Sequence, residues 1–263
     1  MPESSVSLAL LVASSVAAGA VNALAGGGTL LTFPALTAVM SKVLANGTST
    51  VALLPGSLAG AWGYRGELRE VGRWPLYLVV PSLVGGLIGT RLVTRLDPHY
   101  FDALVPWLIL TATVLFLAQP TLLKLSLRLR PAGPPGTHPR SAAAFAVLAL
   151  AQFVIAVYGG YFGAGIGILM LGALGLMGVG DIHHMNAVKT VLAACINALS
   201  VVQFAWDGFV VWPTAAVMAV SAVVGGYLGA HFGRRLPRWA VRWFVIVIGF
   251  ALAAKYFYEQ FAA

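Results

Sequence analysis

The sequence predicts an all-α integral membrane protein made of two inverted-topology repeats, and three observations carry that prediction. First, 59% of its 263 residues are hydrophobic and only 9% are charged, against about 25% charged in a soluble domain. Such a chain cannot cover its own surface with charge, so lipid must cover most of it. Second, the apolar residues fall into ten segments, at 5–25, 29–41, 45–64, 74–94, 99–118, 141–160, 167–179, 186–206, 211–233 and 239–258. Third, similar blocks recur at a constant offset of 140 residues.

The first segment has the small-residue end of a signal peptide, but Glu3 is its only charge and a basic leader is missing. It is therefore assigned as the first membrane helix. Eight of the segments reach or approach the 20 or so residues of a full crossing. Segments 29–41 and 167–179 hold 13 residues each, about 20 Å of helix at about 1.5 Å per residue. Each follows a glycine-rich break, Ala25-Gly26-Gly27-Gly28-Thr29 in one case and Gly163-Ala164-Gly165-Ile166-Gly167 in the other. Glycines in such a run stop a helix, and a broken backbone inside a bilayer is tolerated only where protein or a water-filled cavity covers it.

Residues 119–140, rich in proline and carrying Lys124, Arg128, Arg130 and Arg140, read as a cytoplasmic linker. It separates a first five-segment repeat, 1–118, from a second, 141–263. Val84, Gly85, Gly86, Gly89, Arg95 and Leu96 match Val224, Gly225, Gly226, Gly229, Arg235 and Leu236 at the offset of 140, which also pairs Gly27 with Gly167, Asn46 with Asn186, Thr50 with Thr190 and Val51 with Val191. An odd number of segments per repeat inverts the second relative to the first. Alternating loops then collect eleven Lys or Arg on one side (Arg65, Arg69, Arg73, Lys124, Arg128, Arg130, Arg140, Arg234, Arg235, Arg238, Arg242) and four on the other (Lys42, Arg91, Arg95, Lys255). The richer side is cytoplasmic, which puts both termini outside.

The net charge of +8 and pI near 10 do not indicate nucleic-acid binding, because the basic residues lie in short loops with no soluble module behind them. A single cysteine, Cys195, excludes a disulfide within one chain. No residue pattern calls for a metal or cofactor: His183-His184-Met185-Asn186 has none of the spacing of a helical zinc site. Gly178-Val179-Gly180-Asp181 and Pro34-Ala35-Leu36 echo intramembrane aspartyl proteases, but in the wrong order and without a second carboxylate, which that chemistry requires.

The chemistry concentrates at the breaks. A helix that starts at a break exposes unpaired N–H groups and a partial positive charge. Inversion aims two such starts, at Gly26, Gly27, Gly28 and Thr29 and at Gly165 and Gly167, toward each other, an arrangement that receives an anion. Lys189 lies inside an apolar run, where a lysine costs about 2.5–3.5 kcal/mol to insert and marks a functional position. Asn186, Lys189, Thr190 and Asn197 lie near one helix face. The candidate substrate set is Gly26, Gly27, Gly28, Thr29, Asn46, Thr50, Gly165, Gly167, Asn186, Lys189 and Thr190; Ser49 stands at the repeat position of Lys189. Asp181, His183 and His184, in an expected turn, are candidates for proton coupling.

These residues resemble a known family. NALAGGGTLLTFPALTAV with ANGTSTVALLPGSLAGAWGYRGEL, and YGGYFGAGIGILMLGALGLMGVGDIHHMNAVKTVLAACIN, are similar to the first and second repeats of the TauE/SafE family of sulfite exporter-like and sulfonate uptake permeases. Pro34 has no counterpart in the second half. The resemblance implies secondary transport of sulfur oxyanions or organosulfonates such as sulfite, sulfonates or sulfoacetate. It also implies coupling to H+ or Na+, and residence in the bacterial inner membrane, with a homodimer as a further expectation. An anion channel, a membrane scaffold and an intramembrane protease are the alternative readings.

Overall fold

The computed structural model describes residues 5–24, 27–128, 142–177, 179, 181–232 and 238–261. Among them there are eleven helices and no strand: α1 (Ser5–Leu24), α2 (Thr29–Thr37), α3 (Lys42–Gly63), α4 (Arg65–Glu70), α5 (Trp74–Arg95), α6 (Pro98–Arg128), α7 (Ala142–Tyr161), α8 (Ile166–Met177), α9 (Ile182–Trp206), α10 (Trp212–Phe232) and α11 (Arg238–Phe261). A helix overlaps each of the ten expected segments, although that in 29–41 ends at Thr37. Among the described residues four helices are long and apolar enough to cross a bilayer (75–95, 98–125, 182–206 and 242–261), and shorter apolar helices lie in α1, α7, α8 and α10. The chain is an all-α integral membrane protein.

Several boundaries differ from expectation, three of them with a clear physical reason. The linker begins later, because α6 continues through Arg128. Its sequence TLLKLSLR is rich in strong helix formers, and they outweigh Pro120. The loop after α3 contains the short helix α4. Helix α9 starts at Ile182 rather than near 186, because Asp181 caps it: its carboxylate accepts from the backbone N–H groups of His183 and His184 at 2.9 and 3.0 Å. His183 and His184 thus form the first turn of a helix, and Lys189 lies two turns inside it.

Asp181, outside the membrane segment, has its carboxyl held below the usual carboxylate range, first by the His184 N–H, which with the His183 N–H and the neighbouring histidines outweighs the opposing effect of burial. Folding lowers this pKa, so the stabilisation is present above the usual carboxylate range and is lost as pH falls through the lowered value. Asp181→Ala is expected to cost about 1 kcal/mol of stability at neutral pH. Thermal unfolding of the two proteins should converge in acid.

Helix pairing follows the repeat. The two most extensive contacts are α5 with α7 and α1 with α10. Exchanging α1, α2, α3, α5 and α6 for α7, α8, α9, α10 and α11 turns each of these pairs into the other. The same exchange relates α5–α9 to α3–α10, α1–α2 to α7–α8, α2–α3 to α8–α9, and α6–α8 to α2–α11. Helices α3 and α9 pair with each other, as do α6 and α11. Where α3 meets α9, Asn197 Nδ2 donates to Ser57 Oγ at 3.5 Å, a bond between residues 140 apart in sequence. Gly47 lies against Phe204 and Gly60 against Thr190, so α3 and α9 run antiparallel.

Small residues permit the close contacts. A β-carbon on Gly85 or Gly89 would strike the backbone carbonyls of Phe153 or Val157, one on Gly160 the carbonyl of Gly86, and one on Gly225 the carbonyl of Val16. Buried Thr90 joins α5, α7 and α9, its Oγ1 lying 3.1 Å from Gly160 O and 2.8 Å from Ser200 Oγ. The outward faces are apolar: Val147, Leu150 and Val220 are 65%, 63% and 67% exposed, a surface suited to lipid and not to water. Ion pairs sit at the ends of the bundle. Arg95 meets Asp207 and Lys42 meets Asp102 at one end, and Glu70 shares a hydrogen bond with His184 at the other.

Candidate functional site

The two breaks are built differently. At the first, Gly27 takes φ 92°, in the left-handed region that favours glycine. Its would-be β-carbon falls within the ring of Phe116 on α6. The Gly28 N–H, an orphan donor at the start of α2, donates to Asn22 Oδ1 at 2.7 Å, so α1 itself supplies the cap. Thr29 opens the helix, and Gly26 lies outside the described residues.

At the second break Gly163 and Gly165 take φ 82° and 80°. Tyr158 Oη donates to Ala164 O at 2.7 Å and ties the turn back onto α7. A β-carbon on Gly165 would touch Ala112 of α6. Phe116 and Ala112 are one turn apart on α6, so both breaks abut the same stretch of one helix.

Lys189 comes to the second break. A β-carbon on Gly167 would sit 3.3 Å from Lys189 Cδ, so the lysine stem lies directly over the first turn of α8 at a glycine. Lys189 Nζ donates to Asn186 Oδ1 at 2.9 Å. Among the described residues no carboxylate lies within ion-pair distance of it. An ammonium and the positive end of α8 thus meet on one surface, with a neutral amide as the ammonium's hydrogen-bond acceptor. Thr190 Oγ1 donates to Asn186 O at 2.7 Å, and its repeat partner Thr50 donates to Asn46 O at 2.8 Å. Both hydroxyls are engaged by their own helices.

The first repeat places other groups at the equivalent positions. Ser49, the counterpart of Lys189, shares a 2.6 Å hydrogen bond with Thr32 on α2. Each of the two residues thus faces the short helix of its own repeat. Asn46 is 1% exposed and donates from Nδ2 to Tyr161 O, at the end of α7, at 2.9 Å. Asn186 instead donates back to Ile182 O at 2.8 Å.

Asp181, His183 and His184 are not part of this cluster. They cap α9 at the end of the bundle, and His184 Nε2 lies 3.0 Å from Glu70 Oε2. At the opposite end of α9, Asp207 accepts from Gln203 and Arg95 at 2.6 and 3.2 Å. Burial works against ionisation of Asp207, but the neighbouring Thr94 hydroxyl, the Gln203 hydrogen bond and the Arg95 and Arg91 cations outweigh it and lower its pKa.

A cleft of about 170 Å³ opens at that same end, lined by Lys42, His99, Asp102, Ala103, Tyr256, Glu259 and Gln260, away from the breaks. Thr32 and Phe116 are neighbours of the site that the sequence did not mark. Each looks like one more residue of an apolar helix, and only the packing of distant segments brings them to the breaks.

An all-helical bundle with an apolar exterior, interior helix breaks and inward polar side chains has the construction of a polytopic membrane transporter. The chain belongs to the sulfite exporter TauE/SafE family, whose model matches residues 11–256. It is similar to a probable membrane transporter protein of Haemophilus influenzae, 27% identical over 96% of this chain and 95% of the relative. It is also similar to the probable membrane transporter protein ORF9 of a Sinorhizobium species, 26% identical over 94% and 91%. A third relative is the probable membrane transporter protein YfcA of Escherichia coli, 27% identical over 96% and 90%. No solved structure matches the chain significantly. Family and relatives make it a membrane transporter and not an enzyme.

Proposed function

We propose that the protein is a secondary transporter of small anions, with sulfur oxyanions and organosulfonates as its substrate class, in the bacterial inner membrane. The observation that carries this reading is Lys189, an ammonium two turns inside a membrane helix, laid across Gly167 at the start of α8, with no carboxylate among the described residues within ion-pair distance. The anion sits between that ammonium and the α8 N-terminus, with Asn186 holding the lysine in place. Membership of the sulfite exporter TauE/SafE family supports the substrate class. Asn22 already occupies the Gly28 N–H, so α2 contributes less to anion binding than α8.

Alternating access comes from two inverted repeats, 1–118 and 141–263, rocking about the α3–α9 contact. The exchange symmetry of the helix pairs and the Ser57–Asn197 bond support this division. The 119–140 linker is cytoplasmic and both termini are outside, a reading that the loop charges support.

The test is uptake of radiolabelled sulfite by purified protein in liposomes under imposed Na+ or pH gradients. Accumulation above the external concentration is expected and separates a transporter from a channel. The reading fails if sulfite, sulfate, sulfonates and sulfoacetate all stay at the background of empty liposomes.

A further inference from the structure

The amide oxygen of Asn46 is buried and has no hydrogen-bond partner among the described residues. Its orientation is settled by its neighbour: Nδ2 must face the Tyr161 carbonyl, since two oxygens would repel there, so Oδ1 is the atom left over. Buried acceptors in proteins are nearly always satisfied, and an orphaned one asks for a donor or a cation.

The second repeat shows what belongs at such an oxygen. Asn186, the residue 140 positions on, uses its Oδ1 to hold the ammonium of Lys189 at 2.9 Å. In the first repeat Ser49 stands where Lys189 would, and its hydroxyl is turned to Thr32. One repeat therefore carries its cation covalently, while the other keeps the oxygen and lacks the cation.

The surroundings of Asn46 favour positive charge. Tyr161 ends α7, and the C-terminal end of a helix is the negative end of its dipole. Broken helices in transporters use such ends and unwound carbonyls to hold coupling ions. The buried polar residues described are Ser, Thr, Asn and Gln, with no Asp, Glu or His among them. A neutral amide oxygen does not take up a proton at physiological pH, but it is a good ligand for a hard metal cation.

We propose that Asn46 Oδ1 is a ligand of a monovalent metal cation, Na+ in the first instance, which takes in the first repeat the place of the Lys189 ammonium in the second. The inference rests on the coupled-transport reading above and names its coupling ion. It moves Asn46 from the anion to the cation.

The test is equilibrium binding of 22Na+ to the full-length protein in detergent, with gel filtration to confirm that each variant is folded. Wild type is expected to bind 22Na+ saturably and to release it to unlabelled Na+. Asn46→Leu, of similar size and without the oxygen, should weaken binding by about tenfold or more. Ser49→Lys should abolish it by tethering an ammonium beside the same oxygen. Absence of saturable binding by wild type, or wild-type binding by folded Asn46→Leu, overturns the proposal. Undiminished sulfite accumulation in Na+-free medium also overturns it while leaving the anion reading in place. Saturable, Asn46-dependent Na+ binding in a protein that carries no sulfur anion sustains the cation site and removes the anion reading.

Discussion

Replacing Lys189 with glutamine is expected to weaken sulfite binding by one to two orders of magnitude while leaving the protein folded. A hydrogen bond to a charged group contributes about 1.5–3 kcal/mol, which corresponds to roughly 10- to 150-fold in a dissociation constant. Glutamine retains a polar head and two of the four stem methylenes, so it removes the charge and shortens the reach over Gly167 without adding bulk. Lys189→Arg should recover part of the affinity: the charge is restored, but the planar guanidinium must fit over the same glycine surface. Ligand-induced stabilisation reads the affinity directly, since a bound anion raises the melting temperature by mass action. Unchanged stabilisation by sulfite in folded Lys189→Gln would remove the lysine from the anion site.

The largest effect on folding is expected at Gly160. Its α-carbon packs so closely on α5 that a β-carbon would fall on the Gly86 backbone carbonyl. A side-chain obstacle could change rotamer, but a carbonyl inside a helix cannot move without shifting the helix. Overpacking of this kind costs about 1–3 kcal/mol for each site. Gly160→Val adds two further carbons in the most extensive helix contact of the bundle and should abolish stable expression or sharply lower the melting temperature. Gly172→Ala is the control, because a β-carbon there meets nothing within 4 Å. Equal stability of the two variants would contradict the α5–α7 packing.

The location of the breaks, their pairing and the unusual lysine were legible in the sequence because each violates a strong local rule. Gly27, Gly163 and Gly165 take conformations that other residues rarely adopt, and Lys189 interrupts an apolar run. The start of α9 was less legible. Asp181 with His183 and His184 reads as a polar turn until its carboxylate is seen capping the helix, and that shift places Lys189 a full turn deeper. The extension of α6 was hidden by Pro120, whose local cost is outweighed by the helix formers after it.

Composition determined the class of protein and the apolar helices, because lipid exposure and helix breaking act on each segment alone, and residues matching at an offset of 140 pointed to a correspondence of the two halves. Only the tertiary structure decided which equivalent residues do different work. Asn46 and Asn186 are the same residue at the same repeat position. One reaches across to the end of α7, and the other holds a lysine on its own helix. That difference depends on the partners that packing delivers to each side chain, and those partners lie on helices far away in the chain.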